Sequence, residues 1–162
     1  MQEKSKIKSL SPGVYWQDIQ PGEQYRTLKR TVTETDLVNF VSVTGMVEAI
    51  FIDVTFAEEG KQGIQGARYV PGALTYTMIE GLLCQTMIQG TGLAMLELHQ
   101  KVLGPTYVGD TIHAIVTIDS VRPTSKGNRA IVASTIDVFK QTGEKAMTYT
   151  AVRMLAGRPE SE

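Results

Sequence analysis

The chain has 162 residues, 42% of them hydrophobic, with a formal net charge of -1 and a single cysteine. This length suits one domain with a well-formed core, and the near-neutral charge gives no indication of a nucleic-acid or membrane-surface partner. One thiol cannot form an intrachain disulfide, and the lysine-rich start of the sequence lacks the apolar segment of a signal peptide. We therefore expect a cytoplasmic protein.

The first part of the chain predicts a strand followed by short helices. Alternation in residues 24–32 predicts the strand. Thr33 and the acidic residues after it are typical of a capped helix start, and Gly45 supplies the stop. Residues 46–57 predict a loop with a short helix. The glycine-rich segment 58–66 predicts an exposed, mobile loop.

Residues 71–89 predict one long helix around which the domain is built. Pro71 suits the first helical position, and Gly90 suits the end. The apolar side chains cover more than one stripe of this helix: Leu74, Met78, Ile79, Leu82, Leu83, Met87 and Ile88. Such a helix is buried, and polar residues such as Glu80 argue against a membrane span. Cys84 is predicted to be a buried core thiol.

After this helix the sequence alternates with period two and predicts a series of strands. They span residues 93–103, 112–121, 129–140 and 144–155. Gln141-Thr-Gly143 is typical of a hairpin between the last two. The prediction is an α+β domain, residues 15–156, in which an antiparallel sheet curls around the long helix. Residues 1–14 and 157–162 are predicted to be flexible tails.

Four short motifs occur in a distinctive order. They are Ser42-Val-Thr-Gly45, Asp53 with Phe56-Ala57, Val70-Pro-Gly-Ala-Leu74, and Pro105-Thr-Tyr-Val-Gly-Asp-Thr111. Together they resemble the hotdog fold and its MaoC-like dehydratase branch, the (R)-specific enoyl-CoA hydratases, over about residues 16–155. The resemblance implies a hydro-lyase acting on an acyl thioester. It also implies a homodimer or higher homo-oligomer, or a pair with a second hotdog subunit.

The segment after the first helix departs from the family pattern. Members carry Ser/Thr-Gly-Asp-x-Asn-Pro-x-His-x-Asp, in which the first Asp and the His hold a water and move protons during hydration of a trans-2-enoyl thioester. Here Thr44, Gly45 and the trailing Asp53 match. Met46 occupies the position of the catalytic Asp and Phe51 that of the His. Neither side chain can transfer a proton.

Two carboxylates remain in this segment as candidate catalytic groups. Glu48 lies among apolar residues, where desolvation would raise its pKa and suit acid–base chemistry. The alternative is a structural carboxylate that caps a helix or pairs with Arg68. Asp53 has a similar alternative, the capping of a short helix. By the resemblance, the Gly72 amide binds the thioester carbonyl, unless this glycine serves close packing. The expected pocket residues are Gly45, Met46, Phe51 and Pro71.

Outside this segment the sequence offers few catalytic groups. Glu80 is predicted to be a buried carboxylate paired with Tyr76 or an arginine, and His99 and His113 are predicted to lie at the surface or at an interface. No metal-ligand cluster or nucleotide-binding motif occurs. We expect no metal and no cofactor beyond the coenzyme A, or acyl carrier protein, that the substrate carries.

Three functional hypotheses follow. The first is a MaoC-like dehydratase or enoyl-CoA hydratase with a non-standard acid/base site. The second is a catalytically inactive hotdog subunit that binds an acyl thioester or serves a structural role. The third, less favoured, is an acyl-CoA thioesterase.

Overall fold

The computed structural model describes residues 13–58 and 68–159. The helices are α1 (Glu34–Thr44), α2 (Ala49–Ile52), α3 (Val54–Glu58) and α4 (Gly72–Gln85), with a 3-10 turn at Trp16–Asp18. The strands are β1 (Gln24–Arg26), β2 (Arg30–Thr31), β3 (Tyr69–Val70), β4 (Gly92–Val102), β5 (Thr106–Tyr107), β6 (Thr111–Pro123), β7 (Arg129–Lys140) and β8 (Lys145–Ala156). In the described ranges no helix is long and apolar enough to cross a membrane. The predicted tails and the loop predicted at 58–66 lie mostly outside these ranges.

One antiparallel sheet organises the domain. Its strand order is β1-β6-β7-β8-β4, with β2 also paired to β6, while β3 and β5 form a small second sheet. In β6 and β7 buried residues alternate with partly exposed ones along most of each strand, so one face lies against the core. Val116, Ile136 and Tyr149 lie side by side on neighbouring strands of that face. This is the predicted α+β architecture.

The helix α4 packs one face against the sheet. The residues it buries are Leu74, Thr75, Met78, Ile79, Leu82 and Leu83. It spans 14 residues, about 21 Å at the usual helical rise, and so is shorter than the predicted 71–89. It begins after Pro71, and it ends because Thr86 leaves the helical region and its hydroxyl donates to the Leu82 carbonyl at 2.7 Å.

The prediction that Cys84 is buried is wrong: its side chain is exposed. The apolar stripe of α4 covers one face, and Cys84 lies on the other together with Ala73 and Thr77. The prediction counted Met87 and Ile88 among the apolar residues of this helix, but both lie beyond its end at Gln85, so the remaining large apolar side chains form one face.

The cap of α1 agrees with its prediction. Thr33 accepts a hydrogen bond from the Asp36 amide at 3.2 Å, and the Asp36 carboxylate accepts one from the Thr33 amide at 2.9 Å. This reciprocal pair is a capping box. Gly45 ends the helix with a φ of 71°, a left-handed conformation that glycine adopts at little cost.

The predicted first strand, 24–32, is divided into β1 and β2. Between them the Thr27 hydroxyl accepts a hydrogen bond from the Ala114 amide at 2.9 Å, in place of a regular ladder bond. Leu28 is turned outward and is 65% exposed. The other end of the sheet is formed by β4, and every residue of this edge strand is exposed.

Candidate substrate-binding site

A cavity of about 450 Å³ lies at the N-terminal end of α4, within the size range of small-molecule sites. Four parts of the chain line it: Ile50 and Phe51 of α2, the start of α4 with β3 before it, the connection from β4 to β5, and Ala146 with Met147 of β8. The wall is mainly apolar. The cavity therefore suits a largely apolar ligand.

The first amides of α4 are free in the described part of the chain, and the first of them belongs to Gly72, which lines this cavity. The Pro71 carbonyl accepts hydrogen bonds from the Leu74 amide at 2.9 Å and the Thr75 amide at 3.2 Å. In the described ranges the amides of Gly72 and Ala73 have no acceptor, as expected at a helix start. With the helix dipole they favour a negatively charged or polarised oxygen.

Close packing also restricts residue 72. A Cβ built on Gly72 would lie 3.1 Å from Cγ2 of Val102, closer than side chains normally approach. The absence of a side chain at Gly72 thus allows Val102, at the end of β4, to pack close to the start of α4. Both interpretations of Gly72, as a ligand contact and as a packing residue, are compatible with this geometry.

Only some of the expected pocket residues line the cavity. Phe51, Pro71 and Gly72 line the cavity, whereas Gly45 and Met46 do not. Met46 is 38% exposed, beyond the end of α1. The chain turns at Gly45, which caps α1, and continues into α2. As a result Phe51 of α2 faces the cavity, whereas Met46 faces solvent.

The two candidate carboxylates lie at opposite ends of α2, outside the cavity lining. Glu48 precedes the helix, is exposed, and accepts a hydrogen bond from the Ala49 amide at 3.3 Å. The desolvated environment predicted for Glu48 is therefore wrong. Asp53 follows α2, and its carboxylate accepts from the Thr55 amide at 2.9 Å and the Thr55 hydroxyl at 2.7 Å.

Acid–base groups are scarce in the cavity wall. Among the lining residues that the structure describes there is no Asp, Glu, His or Cys, and Tyr69 is the ionisable side chain. Tyr69 lies edge-on to Tyr107, with ring centroids 4.8 Å apart. The hydrogen bond to Tyr69, together with burial, raises the pKa of Tyr107 to about 12. Tyr107 is thus protonated at neutral pH and donates to Tyr69.

Comparison with known proteins adds to this geometry. No protein-family model matches the sequence. Protein MaoC of Klebsiella aerogenes is 32% identical over 107 residues, which are 64% of this chain and 30% of MaoC. The chain therefore spans less than a third of that relative's length.

Solved structures match almost the whole chain. The MaoC-like dehydratase of Rhodospirillum rubrum superposes with a TM-score of 0.76 at 22% identity, over 91% of this chain and 100% of the other. The (R)-hydratase PhaJ1 of Pseudomonas aeruginosa gives 0.76 at 19% identity, over 93% of each chain. A Mycobacterium tuberculosis protein with a double hotdog fold gives 0.78 at 16%, over 93% of this chain and 46% of that one.

The chain has the hotdog fold, and 107 of its residues are similar in sequence to Protein MaoC. The predicted fold and the predicted resemblance are confirmed. Because the double hotdog protein matches over about half its length, the present chain corresponds to one of its two units.

In this hotdog chain Arg68 has a role that the sequence did not reveal. It was considered as a partner of Glu48, but its guanidinium pairs with Glu34 and donates to the Phe51 carbonyl. Arg68 thereby connects the first turn of α1 to α2 and holds the Phe51 side of the cavity. An arginine directly before β3 was the visible signal. Its partner lies 34 positions earlier, so the pairing could not be chosen from sequence.

A second, smaller cavity of about 230 Å³ is lined by Glu80, Cys84 and Arg153 among others. Glu80 accepts hydrogen bonds from Arg153 at 2.5 Å and from the Tyr149 hydroxyl at 2.6 Å. Burial, with the Glu80 carboxylate, holds the pKa of Tyr149 far above its usual range. The expectation of an arginine partner is confirmed, whereas the hydroxyl partner is Tyr149 and not Tyr76.

Both histidines of the chain lie away from the main cavity. His99 has a side chain that is 75% exposed and pairs with Glu97 at 2.8 Å. His113 is partly exposed and stacks on Phe139 with ring centroids 5.8 Å apart. Burial, with the positive charges of Lys29 and Arg26, lowers the pKa of His113.

Proposed function

We propose that this chain is a MaoC-like hydro-lyase that binds an acyl thioester in the cavity at the start of α4 and adds or removes water on its acyl chain. The observation that carries the proposal is the apolar cavity lined by Gly72, whose amide is free in the described ranges, as is that of the adjacent Ala73. Two of the structural relatives are a dehydratase and an (R)-hydratase, which supports the reaction class.

In this proposal the thioester carbonyl oxygen points at the first turn of α4. The two amides and the helix dipole stabilise the negative charge that this oxygen carries in the enolate, which forms when the neighbouring carbon loses a proton in dehydration or when water adds at C3 in hydration. The acyl chain lies against Phe51, Val102 and Met147, which form part of the apolar wall. The thioester's carrier, coenzyme A or a carrier protein, remains outside the cavity.

Addition of water needs one group that accepts a proton and one that donates it. The described cavity wall supplies neither a carboxylate nor an imidazole. We assign the best candidate role to Glu48, at one end of α2, with Asp53 at the other end as the second candidate. Either carboxylate acts from the rim of the cavity, or from the rim of a partner's cavity in an oligomer.

The test is hydration of crotonyl-CoA, followed by the loss of its enoyl ultraviolet absorbance. We expect turnover within the usual enzymatic range, about 1–10³ s⁻¹. Glu48→Gln should lower kcat by about 10²–10⁴-fold, the usual contribution of acid–base catalysis. Asp119→Asn is the matched control, because this carboxylate lies on β6 and binds Thr135. Full activity of Glu48→Gln would exclude Glu48, and an inert wild-type protein would exclude hydration of this substrate.

A second candidate function is thioester binding without turnover. The specific observation in its favour is that Phe51, at the position where the family pattern has its histidine, lines the cavity. Within residues 13–58 and 68–159, Tyr69 is the acid–base group of the wall. Calorimetry would then detect binding of butyryl-CoA while crotonyl-CoA stays unchanged. Release of free thiol would instead indicate the thioesterase hypothesis.

A further inference from the structure

The hydroxyl of Thr75 is buried and has no hydrogen-bond partner in the described ranges. Thr75 is 1% exposed, its Oγ1 is unpaired, and the residue lines the main cavity. A buried hydroxyl without a partner is unfavourable. Each such group in a folded protein calls for an explanation, often a missing ligand or water.

The helix does not satisfy this hydroxyl. A threonine in a helix or at its C-terminal cap often donates to the carbonyl four residues earlier, as Thr77 does to Ala73 at 3.0 Å and the cap residue Thr86 to Leu82 at 2.7 Å. For Thr75 that carbonyl belongs to Pro71, which already accepts hydrogen bonds from two amides. Two bonds fill its accepting capacity. Thr75 is thus the threonine of α4 whose hydroxyl is left for a group in the cavity.

The spacing relates Thr75 to the proposed thioester position. Residues three apart lie on the same helical face, and Thr75 is about 4.5 Å farther along the axis than Gly72. An acyl thioester whose carbonyl oxygen is at the Gly72 amide would extend its next carbons along this face. A substituent two carbons from the carbonyl, at C3, then comes within reach of the Thr75 hydroxyl.

We propose that Thr75 is a specificity-determining residue that hydrogen-bonds an oxygen at C3 of the bound acyl chain. The cavity thereby prefers a 3-hydroxyacyl thioester to a saturated acyl thioester of the same length. The assignment rests on the proposed function, because it takes the thioester carbonyl to lie at the start of α4. It holds equally for a hydro-lyase and for a protein that only binds the thioester.

The experiment is calorimetric titration of the full chain with butyryl-CoA and with each enantiomer of 3-hydroxybutyryl-CoA, which differ from it by the hydroxyl alone. We expect the wild type to bind one enantiomer about 3–10-fold more tightly than butyryl-CoA, the range of a neutral hydrogen bond. Thr75→Val should lose this preference and keep its affinity for butyryl-CoA. Thr75→Ser should retain the preference.

Thr77→Val is the matched control, since it removes a hydroxyl from the exposed face of the same helix and should leave the preference unchanged. A preference that survives in Thr75→Val would overturn the assignment, as would equal binding of all ligands by the wild type. In those two cases the thioester site itself stands. If the wild type binds none of the thioesters, both the assignment and the proposed function fail. Thr75→Ser keeps the test decisive if Thr75→Val does not fold.

Discussion

At the residue scale, the polar groups buried in apolar surroundings differ in whether they have a partner. Glu80 and Arg153 have side chains only 15% and 8% exposed, and they satisfy one another. His113, in contrast, is partly buried and its Nδ1 has no partner within the described ranges. Removal of either Glu80 or Arg153 would therefore leave the other without its ion-pair partner. Protonation of His113 would place a charge at a partly buried site, so the stability of the fold should depend on its protonation state.

Removal of Arg153 should leave the Glu80 carboxylate without its ion pair. We expect Arg153→Met to lower the free energy of unfolding by about 3–5 kcal/mol, the usual cost of leaving one buried charge unpaired. The double variant with Glu80→Leu should recover most of this loss. Urea unfolding of the four proteins in the cycle measures the coupling. A loss below about 1 kcal/mol would indicate a pair screened by solvent.

Protonation of His113 should destabilise the fold. Its pKa is lowered from 6.5, first by burial and then by the charges of Lys29 and Arg26. The neutral form is therefore favoured in the folded state, and this contribution is present above pH 6.5 and lost as pH falls through the lower folded pKa. The melting temperature of wild type should fall more than that of His113→Phe between about pH 7.5 and pH 5. His99→Gln, at an exposed site, should behave as wild type; parallel curves for all three would contradict the assignment.

At the scale of elements, the stability of α1 depends on its N-terminal cap, and that of α2 on a hydrogen bond from Arg68. α1 begins with the reciprocal hydrogen bonds of Thr33 and Asp36. The short helix α2 has four residues, too few for stability on its own. It is held by Arg68 through the Phe51 carbonyl. The wall of the cavity therefore depends on a contact from outside the element that forms it.

Removal of the N-terminal cap of α1 should lower the stability of the protein. Thr33→Ala should lower the free energy of unfolding by about 1 kcal/mol, because the Asp36 amide loses its acceptor. Thr35→Ala is the control: it is an exposed threonine in the same turn, without a side-chain hydrogen bond of its own in the described ranges. Denaturant midpoints of the two variants give the comparison. Equal midpoints would show that the cap contributes no stability.

At the scale of the whole molecule, β4 is an unpaired edge with an apolar surface. All of its residues are exposed, and they include Leu93, Met95, Leu96, Leu98 and Val102. Soluble proteins protect such edges. We propose that a second subunit covers β4, because this apolar surface is otherwise left exposed. That subunit is a copy of this chain or another hotdog chain.

The homodimer predicts a mass in light scattering of at least twice the 17.8 kDa of one chain. Leu98→Lys, on β4, should shift the protein toward the monomer, because it places a charge in the apolar contact. Leu28→Lys should not, since Leu28 is exposed between β1 and β2, away from this edge. A monomeric wild type at micromolar concentration would exclude the homodimer and leave the hetero-partner as the alternative.

Much of the fold was accessible from sequence because its signals are local. Thr33 and Gly45 bound α1 through hydrogen bonds within one helical turn. The strands β6 and β7 can be predicted from their period-two sequence pattern. The resemblance placed Gly72 at the start of α4. The length of α4 was overestimated, since a run of apolar residues does not reveal that Thr86 bonds back to Leu82.

The site was less predictable because its contacts join distant parts of the chain. Sequence determined that Met46 and Phe51 stand where a proton-transferring pair was expected. Only the tertiary structure decided that Glu48 faces solvent, that Arg68 pairs with Glu34, and that Glu80 meets Arg153, 73 positions away. The same holds for Thr75. Its side chain can be read from the sequence, but only the fold shows that its hydroxyl lines a cavity and that the Pro71 carbonyl already accepts two other hydrogen bonds.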